Sequence, residues 1–480
     1  MQNPNFQGVQ FMGDGSSEYL SYFMGTITEP FRTVSRQISD LVSILKGQLN
    51  SKRSRRIGKE IFWVGAGQAV AVLGSIVGIR LLTGVLSPEA YGELSLGMTA
   101  SLLVNQVVLG PVGSAVLRFF APADEAGELH SFLFIVRRWL LRTTMLMLLM
   151  GGVACMVLML SSQSRWLLLS IAALFFAMFT GYNSVVDSIQ SAARQRQIVA
   201  WHGALASWGR FLAAVGLIVW LGAYSAAAML GYVLSSIVVL FSQIFFLKHK
   251  LLTDSCKTLC EARDHQRLNA QMFRYAWPFA AWGVFTWAQQ ASDRWALEFF
   301  ATTQDVGLYS VLFQLGYYPM SIATGMAMQF LAPIFYERAG DASDVNRNES
   351  VRKLGWHLTR LALIATIVAF LLSFLLHNTI FKICAAREYA SVSYLFPWML
   401  LAGGIFSASQ TIALNLMSQM RTYSMAIAKI VTAVLGVGFN FAGAYFYGIR
   451  GIVMAGVLFS IVYFLWMAVL TKRPDNNPAT

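Results

Sequence analysis

The sequence predicts an all-α integral membrane protein with twelve transmembrane helices, and three of its properties support this prediction. The 480 residues are 56% hydrophobic and 12% charged, with a mean hydropathy of +0.56, whereas soluble domains are about 25% charged. The apolar residues gather in runs of roughly 18 or more, long enough for a helix to cross a bilayer. Lys and Arg are concentrated in alternate loops, as expected for a chain that crosses a membrane repeatedly.

Twelve apolar runs qualify as spans, and several neighbours are joined by very short turns. They lie at 60–86, 90–117, 139–160, 166–190, 203–222, 226–247, 273–300, 306–332, 357–377, 394–418, 424–446 and 450–470. Lys and Arg favour cytoplasmic loops, and here they precede the first span, fill the even-numbered loops and follow the last span. Both termini are therefore predicted to be cytoplasmic. An even number of spans requires the same arrangement.

The charge of the chain and its N-terminal segment point to a membrane surface. A basic cytoplasmic face beside anionic lipid accounts for the net charge of +13, so membrane lipids are expected partners and nucleic acid is not. The first 58 residues contain no apolar core with a small-residue cleavage site, so no cleaved signal peptide is expected. Within them, EPFRTVSRQISDLVSILKG forms an amphipathic pattern, expected either to lie along the cytoplasmic leaflet or to bind a partner protein.

The chain also repeats itself with an offset of six spans. The segment RLLTGVLSPEAYGELSL begins inside the end of the first span, and RWALEFFATTQDVGLYSV begins inside the end of the seventh. Arg80 precedes Gly92 by twelve residues, and Arg294 precedes Gly307 by thirteen. Segments six spans apart point the same way through the membrane, so the repeat predicts two pseudo-symmetric six-helix bundles with a site between them.

The predicted organisation has five parts. These are a cytoplasmic tail with the amphipathic helix (1–58), a first bundle (59–247), a cytoplasmic linker (248–272), a second bundle (273–470) and a cytoplasmic C-terminal tail (471–480).

Arg80, Arg210 and Arg294 lie inside predicted spans. An ionisable side chain within a span costs about 2.5–3.5 kcal/mol on insertion scales, so it usually faces a cavity or a partner. A guanidinium group matches the oxygens of a phosphate, which makes these residues candidates for binding an anionic substrate. The alternative for Arg80 and Arg294 is that they reach the outer headgroups. The alternative for Arg210 is an ion pair with Asp187 of the preceding helix.

The stretch QQASDRWALEFF adds further polar groups around Arg294. Gln290, Arg294 and Glu298 follow one another at i, i+4 and i+8, and Asp293 precedes Arg294. The spacing lets Arg294 pair with Glu298, and a paired charge in a span costs much less than a lone one. Two interpretations stay open: a site for a headgroup or a proton that faces a cavity, and a self-neutralised group that fixes helix packing.

Two further candidates lie near the cytoplasmic side, together with a polar stripe on the fourth span. The stripe consists of Asn183, Asp187, Gln190 and Arg194 at i, i+4, i+7 and i+11, and it is interpreted either as a cavity wall or as a hydrogen-bonded seam between helices. Arg118 ends the second span, and Lys429 lies five residues into the eleventh. Both are candidates for drawing an anionic headgroup to the cytoplasmic entrance; the alternative is that they are ordinary anchors.

The sequence contains no motif for ATP hydrolysis or for a catalytic metal. GxxxxGK[ST] and HExxH are missing, and Cys256 and Cys260 do not have zinc-finger spacing. Catalytic residues, cofactors and metal ions are therefore not expected. A membrane glycosyltransferase or polymerase needs a large loop with acidic or His groups outside the membrane, and the predicted outer loops are short. The protein is not expected to be an enzyme.

Two motifs resemble those of the polysaccharide-biosynthesis flippases, in the superfamily that includes the MATE exporters. The residues that carry the resemblance are Leu86, Pro88, Glu89, Tyr91 and Gly92 in the first half, and Asp293, Arg294, Val306, Gly307, Tyr309 and Ser310 in the second. The resemblance covers residues 59–470 and implies two bundles in a V-shaped arrangement around a cavity that opens alternately to each side. The 58-residue tail and Glu298 depart from the family pattern.

The resemblance also implies a function. Members of this family move a lipid-linked oligosaccharide, usually a sugar on undecaprenyl diphosphate, across the bacterial inner membrane for surface or exopolysaccharide biosynthesis. The expected partner is therefore a polyprenyl-diphosphate sugar. The resemblance is also compatible with binding to a polysaccharide polymerase or other assembly proteins, and with coupling to protons or sodium ions. The alternative is a cation-coupled exporter of small amphiphiles on the same architecture. In such an exporter Asp187, Asp293 and Glu298 would matter more than the arginines.

Overall fold

The structure is a computed structural model that describes residues 52–161, 163–248, 262–340 and 344–472, and these residues fold into helices. In chain order the helices are α1 (Lys52–Val85), α2 (Pro88–Val104), α3 (Gly110–Glu125), α4 (Leu129–Leu160), α5 (Leu167–Ala192), α6 (Arg196–Leu221), α7 (Ser225–Leu247), α8 (Ala262–Phe300), α9 (Thr303–Ala339), α10 (Val345–Cys384), α11 (Phe396–Ser418) and α12 (Thr422–Lys472). A π-helical turn (Asn105–Leu109) joins α2 to α3, and a 3₁₀ segment (Arg387–Leu395) precedes α11.

The helices are consistent with the predicted number of spans if α8 and α9 are counted as spans on their length alone. Within the described ranges, nine helices are long and apolar enough to cross a membrane. Helices α2 and α3 form one of them, Pro88–Glu125, whereas α12 bends at Gly448, whose φ of 55° is not helical, and is long enough to cross twice. Helices α8 and α9, of 39 and 37 residues, are long enough to cross but are not among these nine apolar helices. The all-α membrane class is confirmed, and the count is consistent with twelve spans.

The repeat is also visible in how α2 and α9 begin. Ser87 caps α2 by accepting a hydrogen bond from the Ala90 backbone, and Pro88 occupies the first turn. Thr302 caps α9 in a reciprocal capping box with Asp305. Both caps precede their glycine by five residues. The equivalent sequence segments therefore start equivalent helices.

In the described part of the chain, two clusters of buried apolar residues connect the two halves of the sequence, and others lie within a single half. The largest cluster combines α1 and α2 with α9 and the 3₁₀ segment, for example Leu82, Leu94, Val306 and Tyr389. A second cluster packs Met272 of α8 with residues of α3, α4 and α5. The division into two six-helix bundles stays a prediction.

Helix α8 contacts both halves. Near its beginning Asn269 accepts a hydrogen bond from the Trp139 indole of α4 (2.7 Å). Near its end Ser292 accepts one from the Asn440 amide of α12 (2.9 Å), and Phe300 packs on aromatic rings of α12. Pro278 lies between these two regions, inside the helix.

Some predicted segments fall outside the residues that the structure describes. The amphipathic pattern at 29–47 and most of the C-terminal tail are among them. Of the predicted linker, residues 249–261 also lie outside, whereas 262–272 form the first turns of α8. The helix therefore begins eleven residues before the predicted span at 273, because polar residues continue the helix beyond its apolar part.

Candidate functional site

The halves cross most closely where α2 meets α9, at the glycines of the repeat. A Cβ atom on Gly92 would lie 2.0 Å from the Thr303 carbonyl oxygen, and one on Gly307 would lie 1.8 Å from that of Pro88. One turn further along, the Ser95 and Ser310 hydroxyls form a buried hydrogen bond of 2.7 Å. Each half thus supplies the same G-x-x-S pattern to one crossing, and backbones this close require glycine. We call this contact the G-x-x-S crossing.

The 3₁₀ segment and the two residues before it contact the end of α1, close to the G-x-x-S crossing. The Arg80 guanidinium donates to the Ala385 carbonyl oxygen. The Ala386 backbone N–H donates to the Thr83 hydroxyl (3.0 Å), and the Tyr389 hydroxyl donates to the Leu86 carbonyl oxygen (3.0 Å). Arg80 is exposed and is not part of the cavity wall described next. It links the two halves at this end, a role that the sequence did not suggest.

A cavity of about 580 Å³ extends from the G-x-x-S crossing between the two halves. Its wall combines charged and amide groups with a set of aromatic rings. The polar lining includes Arg210, Gln289, Gln290, Asp293, Arg294, Gln314 and Asn440, and the aromatic lining includes Tyr91, Tyr309, Phe313 and Tyr317. A volume within about 300–1,000 Å³ is typical of a binding site for a small ligand. We call this space the central cavity.

Arg294 is held at the cavity wall by its own helix and by α9. Its side chain is buried; the guanidinium donates to Asp293 at 3.0 Å and to the Gln290 carbonyl oxygen at 2.9 Å. The group lies over the Phe313 ring, with its central carbon 4.3 Å from the ring centroid. Asp293 also accepts a hydrogen bond of 2.6 Å from the Tyr309 hydroxyl. Asp293 thus pairs with Arg294 and holds the Tyr309 hydroxyl at the same time.

Arg210 reaches the same cavity from the first half. Its guanidinium lies over the Phe211 ring at 4.9 Å and contacts the Ser75 hydroxyl at 3.5 Å, at the limit of a hydrogen bond. Its Nε atom is buried without a hydrogen-bond partner in the described part of the chain. The predicted pair with Asp187 is not formed, since Asp187 accepts a hydrogen bond from Gln243 instead. Tyr91, on the cavity wall, lies within electrostatic range of both Arg210 and Arg294.

The predicted pair of Arg294 with Glu298 is wrong. Arg294 turns towards Asp293 and the rings of α9, and Glu298 accepts a hydrogen bond from the Thr303 hydroxyl (3.1 Å). The second carboxylate oxygen of Glu298 is buried without a partner among the described residues. It faces an apolar groove of about 450 Å³ between α2, α4 and α5, outside the central cavity. A spacing of four residues brings two side chains within reach of each other but does not determine which neighbouring group forms the ion pair.

The polar stripe of α5 forms a seam with α7. Asn183 donates to the Ser236 carbonyl oxygen (3.0 Å), and Asp187 accepts from the Gln243 amide (2.8 Å). Asn183 is buried, and neither residue lines the central cavity. Of the two interpretations of this stripe, the structure supports the hydrogen-bonded seam over the cavity wall.

The remaining candidates occupy different surroundings. Arg118 is exposed in the middle of α3, because the helix continues to Glu125 beyond the predicted end of the span. Gln290 lines the central cavity and accepts a hydrogen bond from the Gln106 amide (3.1 Å). Lys429 lines a second space of about 380 Å³, which shares Gln289 and two other lining residues with the central cavity. Only part of the predicted set therefore meets in one place: Arg210, Gln290, Asp293 and Arg294.

Comparison with known families agrees with this architecture. Residues 57–338, more than half of the chain, match the family of polysaccharide biosynthesis proteins. The chain belongs to this family. The resemblance inferred from the two sequence motifs is thereby confirmed. A comparison with curated proteins gives no match.

Solved structures show what fold this polysaccharide biosynthesis protein adopts. It is similar to the lipid II flippase MurJ in an inward closed conformation, with a TM-score of 0.64 and 13% identity over 86% of this chain and 87% of that one. It is also similar to an inward-facing multidrug resistance MATE family transporter of the MOP superfamily, with a TM-score of 0.59 and 14% identity over 84% of this chain and 94% of that one. At this level of identity the likeness concerns the fold, which the chain shares with these two membrane proteins.

Several residues of the site were not singled out as binding residues from the sequence. Tyr91 and Tyr309 belong to the family motifs but were treated only as markers of the family, and Gln314 accepts a hydrogen bond from Tyr91 (3.3 Å). Phe313 follows Tyr309 by one helical turn, so a stripe of rings on one face of α9 was visible in the spacing. The arginine that this stripe receives lies on another helix, and no local pattern predicts that contact.

Proposed function

We propose that this protein moves a polyprenyl-diphosphate-linked oligosaccharide across the bacterial cytoplasmic membrane by alternating access, for the synthesis of a surface or exported polysaccharide. The observation that carries the proposal is the convergence of Arg210 and Arg294, from opposite halves, on one cavity. A diphosphate carries more than one negative charge, and guanidinium groups are suited to its oxygens. Two arginines on two halves let the substrate bridge them.

The surroundings of the arginines fit a large headgroup attached to a lipid. Aromatic rings and amides beside the arginines provide apolar faces and hydrogen-bonding groups for sugars. The lipid tail would stay in the bilayer, so the polar headgroup alone needs a path through the protein. With both termini in the cytoplasm, α2 begins on the outer side. The G-x-x-S crossing would then be the contact that closes the cavity towards the outside.

The arrangement favours this function over a cation-coupled exporter of small amphiphiles. Such an exporter would depend on accessible carboxylates, but Asp187 lies in the α5–α7 seam and Glu298 faces the apolar groove. Asp293 is the one of the three that lines the central cavity, and it is engaged by Arg294 and Tyr309. The cations of the central cavity are the groups left to meet a substrate.

A reconstituted system tests the proposal. Purified protein is placed in liposomes that contain a fluorescent polyprenyl-diphosphate disaccharide, and the fraction of headgroups reached by an added quencher is followed. We expect the protein to accelerate exchange between leaflets, and the same lipid with a phosphocholine headgroup to remain in its leaflet. Deleting the gene should in parallel remove the surface polysaccharide and leave its lipid-linked unit on the cytoplasmic side. Export of cationic dyes without movement of the sugar lipid would instead establish the exporter.

A further inference from the structure

Lys429 lines a space beside the central cavity, which we call the side pocket. It is enclosed by α8, α9, α11 and α12, all from the second half, and has a volume of about 380 Å³. Gln289, Ser321 and Phe406 line both spaces, so the side pocket adjoins the central cavity. A ligand long enough to reach past these three residues would occupy both spaces.

The ammonium group of Lys429 has no acidic partner. The side chain is partly buried, and the described residues offer it neither an ion pair nor a side-chain hydrogen bond. A charge within a membrane span is unfavourable without a partner, and such residues usually face a substrate path. The positive charge of Lys429 is thus available to a ligand, unlike that of Arg294, which contacts Asp293.

The remaining wall of the side pocket suits a carbohydrate. Trp282, Phe285 and Phe406 present aromatic surfaces that can cover the apolar faces of sugar rings. Gln289 and Gln410 supply amides that both donate and accept. The buried Tyr463 hydroxyl lies beside Gln410 but makes no hydrogen bond of normal geometry within the described chain. A buried hydroxyl left in this state is stabilised when a ligand completes its hydrogen bond.

The distance from Arg294 matches the order of groups in a sugar lipid. Along α8 the side pocket is lined from Gln289 back to Trp282, five to twelve residues before Arg294. At about 1.5 Å per residue this places its wall roughly 8–18 Å from Arg294 along the helix. A sugar chain that leaves a diphosphate at Arg294 would enter the side pocket with its first residues.

We propose that the side pocket binds the sugar part of the substrate and that Lys429 selects an anionic sugar, one that carries a carboxylate as uronic acids do. The inference rests on the proposed function, because it assumes that a sugar enters the cavity. The carboxylate supplies the counter-charge that the protein does not. Substrates with neutral sugars alone would leave the ammonium group uncompensated and bind less tightly.

The test uses soluble sugars, so that it does not require transport. The methyl glycosides of glucuronic acid and of glucose are titrated into the purified full-length protein, and binding is followed by ligand-detected NMR. We expect the wild type to prefer the acidic sugar. Lys429→Gln should weaken binding of the acidic sugar about tenfold, the loss of one charge-assisted hydrogen bond, and leave the neutral sugar unchanged. Lys429→Arg should keep the preference.

A matched control removes a lysine elsewhere in the second half. Lys382, exposed in the last turn of α10, is outside the side pocket, so Lys382→Gln should bind both sugars as the wild type does. Failure of either sugar to bind the wild type, equal binding of the two, or equal effects of Lys429→Gln and Lys382→Gln would overturn the inference. Size-exclusion profiles check that the variants fold.

These outcomes are separable from those of the proposed function. A protein that prefers the acidic sugar through Lys429 but moves no sugar lipid in liposomes would keep the side pocket and refute the flippase. Rapid movement of the sugar lipid with no role for Lys429 in sugar binding would support the flippase and refute the inference about the side pocket.

Discussion

Arg80 and Arg294 occupy equivalent positions in the two copies of the repeat, yet their surroundings differ. Arg80 is exposed and donates to the Ala385 carbonyl oxygen, where it helps to join the halves at one end. Arg294 is buried at the central cavity, between Asp293 and the Phe313 ring. Further along the same two segments the copies remain alike, since Gly92 meets Gly307 and Ser95 meets Ser310.

The difference shows where symmetry is retained. Two halves that cross on a pseudo-twofold axis must present matching surfaces to each other, so both glycines are needed for one close approach. A residue that faces a substrate has no such constraint, because the substrate itself is not symmetric. The repeat therefore brings the halves together at its glycines and serines, whereas only one of its two arginines lines the central cavity.

The largest expected effect distinguishes the two arginines. Arg294→Ala should abolish flipping, because it removes a cation from the central cavity and leaves Asp293 buried without its partner, a change that costs about 3–5 kcal/mol. Arg294→Lys keeps the charge and should only weaken flipping. Arg80→Ala should lower flipping much less than Arg294→Ala does, since Arg80 is exposed and does not line the central cavity. Rates in liposomes at equal amounts of folded protein measure all three; equal rates for the Ala and Lys variants of Arg294 would contradict its role.

A crosslink at the G-x-x-S crossing should stop transport reversibly. The Ser95 and Ser310 hydroxyls are 2.7 Å apart, so Ser95→Cys with Ser310→Cys places two thiols within reach of a disulfide. In a background without the four native cysteines, oxidation should block flipping almost completely and a reductant should restore it. Each single cysteine variant is the control. Unchanged flipping by fully crosslinked protein would show that the crossing does not open during transport.

A methyl group at the crossing should destabilise the protein. Gly307→Ala places a Cβ atom where the Pro88 carbonyl oxygen lies 1.8 Å away, so backbone must shift, at a cost of about 1–3 kcal/mol. The matched control is Gly84→Ala in α1, where nothing lies within 4 Å of the new atom. Alanine favours a helix over glycine by up to about 1 kcal/mol, so the control should be neutral or stabilising. Thermal unfolding in detergent compares the two; equal midpoints would refute the close approach.

The smallest expected effect concerns Glu298. Because Glu298 contacts Thr303 and not Arg294, Glu298→Gln should change flipping less than about twofold. Asp293→Asn removes the charge that does contact Arg294 and should change both the rate and its dependence on salt. Salt titrations of flipping by the two variants separate these cases. A larger effect of Glu298→Gln than of Asp293→Asn would show that Glu298, and not Asp293, is the carboxylate that acts on Arg294.

The fold was largely predictable from the sequence, and the site was predictable in part. Hydrophobic runs and caps are local, so the spans and the equivalent starts of α2 and α9 follow from composition and spacing. The side-chain contacts are not local. The i, i+4 spacing permitted a pair between Arg294 and Glu298, but the packing of α9 against α8 provided rings and a phenol for Arg294 and Asp293 instead. Likewise, helical periodicity placed Asn183 and Asp187 on one face without showing that α7 covers that face.

Helix α8 is attached to both halves of the molecule, which alternating access would have to move apart. Its beginning is fastened to α4 through Asn269 and its end to α12 through Ser292 and Phe300. A rigid rod fixed at both ends cannot follow two bodies that tilt apart, so opening of the G-x-x-S crossing must bend α8 or detach one end. Pro278, between the attachments, removes one backbone hydrogen bond and lowers the bending stiffness of the helix there. If the protein works by alternating access, the energy needed to bend α8 would be part of the free-energy difference between its two access states.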